Sequence, residues 1–208
     1  MRDNDQVTSS RPSLEQIRAV TQPPEIVTRA NSEHWLGIPY FRKVSPFLTR
    51  WFVAWGWTPN QVTYLMIVIG ASSGLVLTIP GAVAGISAAL LAQLQMIVDC
   101  CDGEVARWRQ QYSPVGFFLD KVAHYVAESL VPLGLGIRAA GGFAAFHEPA
   151  QWWPFIGAGL ALLVVWNKAL NDAVHVARPR RARSRQRRSP SSPRRRPLQP
   201  VRPVAGTT

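Results

Sequence analysis

Asp99, Asp102, Arg107, Asp120, His124 and Glu128 lie close together at the end of a long apolar stretch, since residues 51–98 hold no Lys, Arg, Asp or Glu. An ionisable side chain inside a bilayer or at its rim is costly and by default marks a functional site. A helix turns about 100° per residue, which brings Asp99, Asp102, Gly103 and Ala106 to one face. Two carboxylates about a turn apart, beside two small residues, form a hard-cation site that a bulky ligand can approach. Mg2+ or Mn2+ suits such oxygen donors and leaves positions open for a substrate phosphate. Gly costs about 1 kcal/mol in a helix interior relative to Ala, so Gly103 implies close approach. Arg107 carries a planar fork suited to phosphate or carboxylate.

Gly116, Asp120, His124 and Glu128 step by four and share a face of a following helix. Asp120 is placed to complete the metal site. A neutral imidazole serves as general base or as metal ligand, and what holds its other nitrogen often decides which. Glu128 is spaced to be the group that holds His124. Lys168 and Asn171, further along, either line an acceptor pocket or sit at an ordinary rim, with Lys168 paired to Asp172 one turn on.

The pattern Asp-x2-Asp-Gly-x2-Ala-Arg-x8-Gly-x3-Asp-x3-Asp is the signature of the CDP-alcohol phosphotransferases (CDP-alcohol phosphatidyltransferases). Residues Asp99, Asp102, Gly103, Ala106, Arg107, Gly116 and Asp120 match it, spacing included. The last position departs from it, with His124 where the family usually has a fourth Asp. The resemblance covers roughly residues 40–175. It implies a multi-helix membrane enzyme that holds two divalent metals, transfers a substituted phosphate from a CDP-alcohol to a second alcohol, and releases CMP. It also implies Asp99, Asp102 and Asp120 as metal ligands and suggests a homodimer. Gly103, Ala106, Arg107 and Gly116 are then expected against the CDP phosphates. The fourth acid is usually cast as ligand and base, so both roles fall open at His124, with Asp120 beside it as a catalytic group. The alternative for the carboxylates is a solvated rim paired with Arg107 and Arg109, and the complete signature outweighs it.

These residues need a scaffold, which the rest of the chain describes as an all-α polytopic membrane bundle of about four spanning helices. Thr58-Pro59 caps and starts the first, whose apolar run reaches Ile79, enough to cross about 30 Å. Pro80-Gly81 is a tight turn. A second run, rich in Ala, Gly and Ser, begins at Ala82 and continues into the aspartates. A third helix covers 115–137 and a fourth runs from Gln151 to near Val176. The family usually has six spans. Upstream, 33–57 mixes Trp, Tyr and Phe with Arg42, Lys43 and Arg50, the composition of an interfacial helix, with Ser45-Pro46 as its start and Gly56 as its stop.

The polar segment 1–32 holds a short helix capped by Ser13 and is otherwise a mobile end with no chemistry. The core spans 58–177. The tail, 178–208, is Arg, Pro and Ser with eleven Arg and no acid, and is expected to be disordered. The net charge is +11, and the tail supplies all of the excess, so no basic patch in the body points to nucleic acid. Charge near the spans places both termini and the motif in the cytoplasm, and the bundle is expected in a bacterial plasma membrane. Adjacent Cys100 and Cys101 read as small helix residues. The function that the resemblance implies is transfer of a phosphatidyl group in phospholipid synthesis. The donor is CDP-diacylglycerol or another CDP-alcohol, and the acceptor is a small alcohol or phospho-alcohol. Two alternatives stand beside it. One is a truncated or frame-shifted, non-catalytic relative that binds metal and CDP only. The other is a membrane-anchored interaction protein acting through its basic tail.

Overall fold

A computed structural model describes residues 12–24, 40–144 and 152–188, and six helices occur among these described residues. They are α1 (Leu14–Thr21), α2 (Arg42–Ala54), α3 (Pro59–Leu77), α4 (Ala82–Arg109), α5 (Pro114–Ala139) and α6 (Trp153–Arg188). No strand occurs among the described residues. Two compact units are distinguished, Met1–Lys168 and Ala169–Thr208. Trp35, His147, Glu148, Gln151 and residues 189–208 lie outside the described residues.

Local chemistry sets the helix starts. The Ser13 hydroxyl accepts from the Gln16 amide, and the Gln16 side chain returns a bond to the Ser13 N–H. Thr58 and Gln61 repeat this reciprocal cap at α3, with Pro59 in the first turn, where its missing N–H leaves nothing unbonded. Gly81 enters α4 at φ +103°, a conformation that only glycine adopts cheaply, as a tight turn there requires.

α2 departs from the sequence reading. It starts at Arg42, so Ser45 is not its cap and Pro46 lies inside the helix. A proline there cannot donate to the carbonyl four residues back. That carbonyl, Arg42 O, instead accepts from Gln22 Nε2 at 2.8 Å. The buried face carries Ser45, Pro46, Thr49, Phe52 and Val53, while Phe47, Trp51 and Trp55 point outward.

α3, α4 and α6 are long and apolar enough to cross a membrane by length and composition. The sequence reading counts α5 as a fourth. At 26 residues α5 has the length, but Asp120, Lys121, Glu128 and Arg138 break its apolarity. Its place in the bundle comes from packing. A Cβ on Gly70 would lie 2.7 Å from Ala127 Cβ, and one on Gly74 would strike Leu130. Gly136 meets Gly157 of α6 with equal closeness. Small residues thus let these backbones approach, as membrane helices commonly do. Gly74→Val should lower the thermal unfolding midpoint in detergent by roughly 4–10 °C, because overpacking here displaces backbone. An unchanged midpoint would mean that α3 and α5 do not pack this way.

At the end of the bundle away from the aspartates, Arg138 donates to the carbonyls of Ile79 and Gly81, the latter at 2.6 Å, and so satisfies groups left over after α3 ends. α6 also departs from expectation. It runs to Arg188 rather than ending near Val176, so the first part of the Arg-rich tail is helical. Arg is among the better helix formers, and a helix bonds its backbone internally without needing a core.

The N-terminal segment is not a loose end where it is described. Ile17 and Thr21 of α1 are fully buried, and Ile17 joins the core of Phe52, Val62, Met66, Val98, Cys101, Val105 and Trp108.

Candidate functional site

The C-terminal half of α4 and the N-terminal half of α5 bring the predicted residues together beside the start of α3. α4 stops cleanly because Gln110 adopts a left-handed turn (φ 53°) and the Gln111 amide bonds back to Ala106 O. α5 then restarts on a Ser113 cap, whose hydroxyl accepts from the Gly116 amide at 2.9 Å. This short reversal sets Asp99 of α4 opposite Asp120 and His124 of α5.

His124 is the hub. Its Nε2 lies 3.3 Å from Asp99 Oδ1 and 3.6 Å from Asp120 Oδ1. Its Nδ1 lies 3.3 Å from Glu128 Oε1, one turn along α5. The same Glu128 oxygen is 2.7 Å from Lys168 Nζ of α6. Lys168 therefore meets Glu128, a contact that the sequence reading did not weigh for it. Asn171 is exposed and belongs to the second unit.

Asp99, Asp120 and His124 each offer one ligand atom, all within 4.8 Å of one another, an arrangement able to hold a metal ion. The donor chemistry fits: two anionic oxygens and one imidazole nitrogen match a divalent cation, whose charge would offset the repulsion between the carboxylates. Asp102 stands outside this trio. Its Oδ2 lies 3.1 Å from Thr63 Oγ1, which is also 3.1 Å from Pro59 O, so the single hydroxyl proton serves one acceptor at a time.

Asp102 instead faces a cleft of about 350 Å3, walled by Asn60, Thr63, Gly103, Ala106, Gly116 and Asp120 among others. Asp120 belongs to both cleft and trio and joins them. A Cβ on Gly116 would lie 3.0 Å from Asn60 Oδ1, so the glycine keeps room for that side chain. A Cβ on Gly103 would lie 3.2 Å from Arg107 Nη1. The close approach that Gly103 permits is thus to the motif arginine.

Arg107 does not line the cleft. Its Nε donates to Thr21 O at the end of α1 at 2.6 Å. Arg109 Nη2 donates to Val53 O at 3.3 Å. Both arginines are turned to backbone carbonyls, which sets aside a rim in which they pair with Asp99 and Asp102. Cys101 is buried and donates weakly to Ile97 O, the behaviour of a small helix residue.

Sequence reasoning missed Glu104. It is fully buried and accepts from Gln22 Nε2 (2.7 Å), Ser45 Oγ (2.7 Å) and Thr49 Oγ1 (2.6 Å). Its signal lay in the helix angle. Glu104 sits roughly 140° around α4 from Asp99, so it had to serve a different neighbour. Thr63, one turn inside the Thr58 cap, was equally overlooked.

Residues 56–184 match the CDP-alcohol phosphatidyltransferase family. A stretch of 129 residues is 34% identical to a "Bifunctional IPC transferase and DIPP synthase" of Rubrobacter xylanophilus, covering 60% of this chain and 26% of that protein. The proteins of the same name from Aquifex aeolicus (38% over 80 residues) and Thermococcus kodakarensis (36% over 107 residues) match 38% and 51% of this chain, and 17% and 22% of their own lengths. The chain spans about a quarter or less of these relatives. With its aspartates, glycines and motif arginine inside the matched stretch, the chain belongs to the CDP-alcohol phosphatidyltransferase family.

Proposed function

We propose that this chain is a metal-dependent transferase that moves a phosphatidyl group from CDP-diacylglycerol to a small alcohol or phospho-alcohol, releasing CMP, in membrane phospholipid synthesis. The observation that carries this reading is the joining of cleft and trio at Asp120. A CDP-alcohol lying in the cleft presents its phosphates to the wall formed by Gly103, Ala106 and Gly116. Exposed Phe117 and Tyr112 at the cleft wall suit a donor with acyl chains.

Asp99, Asp120 and His124, with Asp102 across the cleft, are the residues that would hold Mg2+ or Mn2+. When bound, such ions neutralise charge on the pyrophosphate as it is cleaved. Both nitrogens of His124 already face carboxylates, which favours a ligand role. Asp120, at the cleft wall, is then the base that takes the proton from the acceptor hydroxyl. Arg107, held by α1, steadies the motif helix beneath the cleft. The basic residues Arg42, Lys43, Arg50 and Lys121 fall on the site's side of the bundle in sequence order, and Arg138 on the other. We infer that the site faces the cytoplasm at the plasma membrane.

The test is CMP release by purified protein supplied with Mg2+ or Mn2+. CDP-diacylglycerol and a water-soluble CDP-alcohol are each offered with glycerol phosphate, inositol phosphate, inositol or serine. Metal-dependent release from CDP-diacylglycerol with one acceptor, lost in Asp102→Asn, supports the proposal and names the product. Release from the soluble donor alone would move the substrate class away from lipid. Binding of CDP without release from either donor would leave a nucleotide-binding relative and overturn the transferase reading.

A further inference from the structure

We propose that His124 makes the trio a mixed nitrogen and oxygen site that prefers first-row divalent ions, Zn2+ most and Mn2+ next, over Mg2+. Glu128 and Lys168 act as the positioning residues that aim it. The inference rests on the trio being a metal site, as in the proposed function, but not on transfer taking place.

The geometry has three parts. First, the donor set differs from an all-carboxylate site: imidazole suits Zn2+ best, and Mn2+, although at home among oxygen donors, gives up its waters to a nitrogen more readily than Mg2+, which dehydrates reluctantly. Second, the ring is aimed. Nε2 faces Asp99 and Asp120, while Nδ1 faces Glu128 Oε1 at 3.3 Å. A carboxylate holding the far nitrogen fixes the ring orientation of a ligating histidine and strengthens it as a donor. Third, Glu128 is itself fixed from another helix, because Lys168 Nζ lies 2.7 Å from the same oxygen. The sequence Lys168, Glu128, His124 thus runs from α6 through α5 to the carboxylates.

This arrangement also accounts for Lys168 without an acceptor pocket. An ammonium set against Glu128 stands one residue removed from His124 and holds the carboxylate that orients the imidazole. Lys168 is about one-quarter exposed and Glu128 less than half, so the pair is partly shielded from water.

The experiment measures metal binding to the purified full chain without nucleotide. Mn2+ binding is followed by electron paramagnetic resonance, with Mg2+ and Zn2+ as competitors. In the wild type, Mg2+ should displace Mn2+ only at roughly hundredfold excess or more, and Zn2+ at or below equal concentration. Pulsed spectra of bound Mn2+ should carry an imidazole nitrogen coupling. His124→Asp should abolish that coupling and narrow the gap between Mg2+ and Mn2+ by tenfold or more. Glu128→Gln should keep the coupling but weaken Mn2+ binding about 10–100-fold, the usual effect of losing a group that supports a ligand. Lys168→Met should act in the same direction and less strongly. Equal affinity for Mg2+ and Mn2+ in the wild type, bound Mn2+ without nitrogen coupling, or no metal binding by folded protein would each overturn the proposal. CMP release with no metal preference would sink this inference and leave the transferase reading intact. Metal preference without CMP release would do the reverse.

Discussion

Asp99→Asn is expected to cut metal-dependent CMP release about a thousandfold. Asn keeps the shape of Asp and one oxygen but removes the charge, and it sets an amide group where Oδ1 lies 3.3 Å from His124 Nε2. Charge stabilisation at a bound metal amounts to several kcal/mol. At about 1.4 kcal/mol per decade, losing roughly 4 kcal/mol of it gives three decades. Asp99 does not line the cleft, so CDP binding should weaken less than turnover falls. The measurement is single-turnover CMP release at saturating CDP-alcohol, beside CDP binding to the same variant. A loss below tenfold would remove Asp99 from the reacting centre.

Glu104→Ala should be the most damaging change outside the site. Three donors converge on this carboxylate from α2 and the end of α1, all at 2.6–2.7 Å. Removing it leaves the Gln22 amide and two hydroxyls facing a buried void. Each unsatisfied group costs roughly 1–3 kcal/mol, so a total of about 3–5 kcal/mol is expected after the hydroxyls rotate to other acceptors. Glu104→Gln should lose only about 1 kcal/mol. Its oxygen still accepts from Gln22 and Ser45, and its amide can donate to a Thr49 hydroxyl that turns to accept. Thermal unfolding in detergent separates the two variants. Equal losses would show that charge, rather than bonding, secures the cluster.

Much of the scaffold was legible because it depends on neighbours in sequence. The Ser13 and Thr58 caps, the Gly81 turn and the helical face shared by Asp99 and Asp102 follow from residues within one turn of each other. The site was legible for the same reason, since a spacing of four along α5 places Asp120, His124 and Glu128 in a row. What escaped depends on distant partners. Pro46 can stand inside α2 only because Gln22 takes the carbonyl it cannot serve. The knot at Glu104 joins three stretches that no local pattern connects. The division of the aspartates, with Asp99 and Asp120 on His124 and Asp102 on Thr63, comes from the packing of α3 against α4, which a single helix wheel does not contain. The length of α6 escaped as well, because an Arg-rich stretch without a core can still bond its own backbone as a helix.

The knot at Glu104 also bears on how the protein is made. Gln22 is 82 residues ahead of the carboxylate it bonds. At roughly 5–20 residues per second of synthesis, α1 emerges some 4–16 s before its partner exists. Through that interval Ile17 and the polar donors of Gln22, Ser45 and Thr49 have no acceptor to close upon, so they must wait in an aqueous or headgroup environment. The N-terminal helix can therefore close onto the motif helix only after translation has passed Glu104.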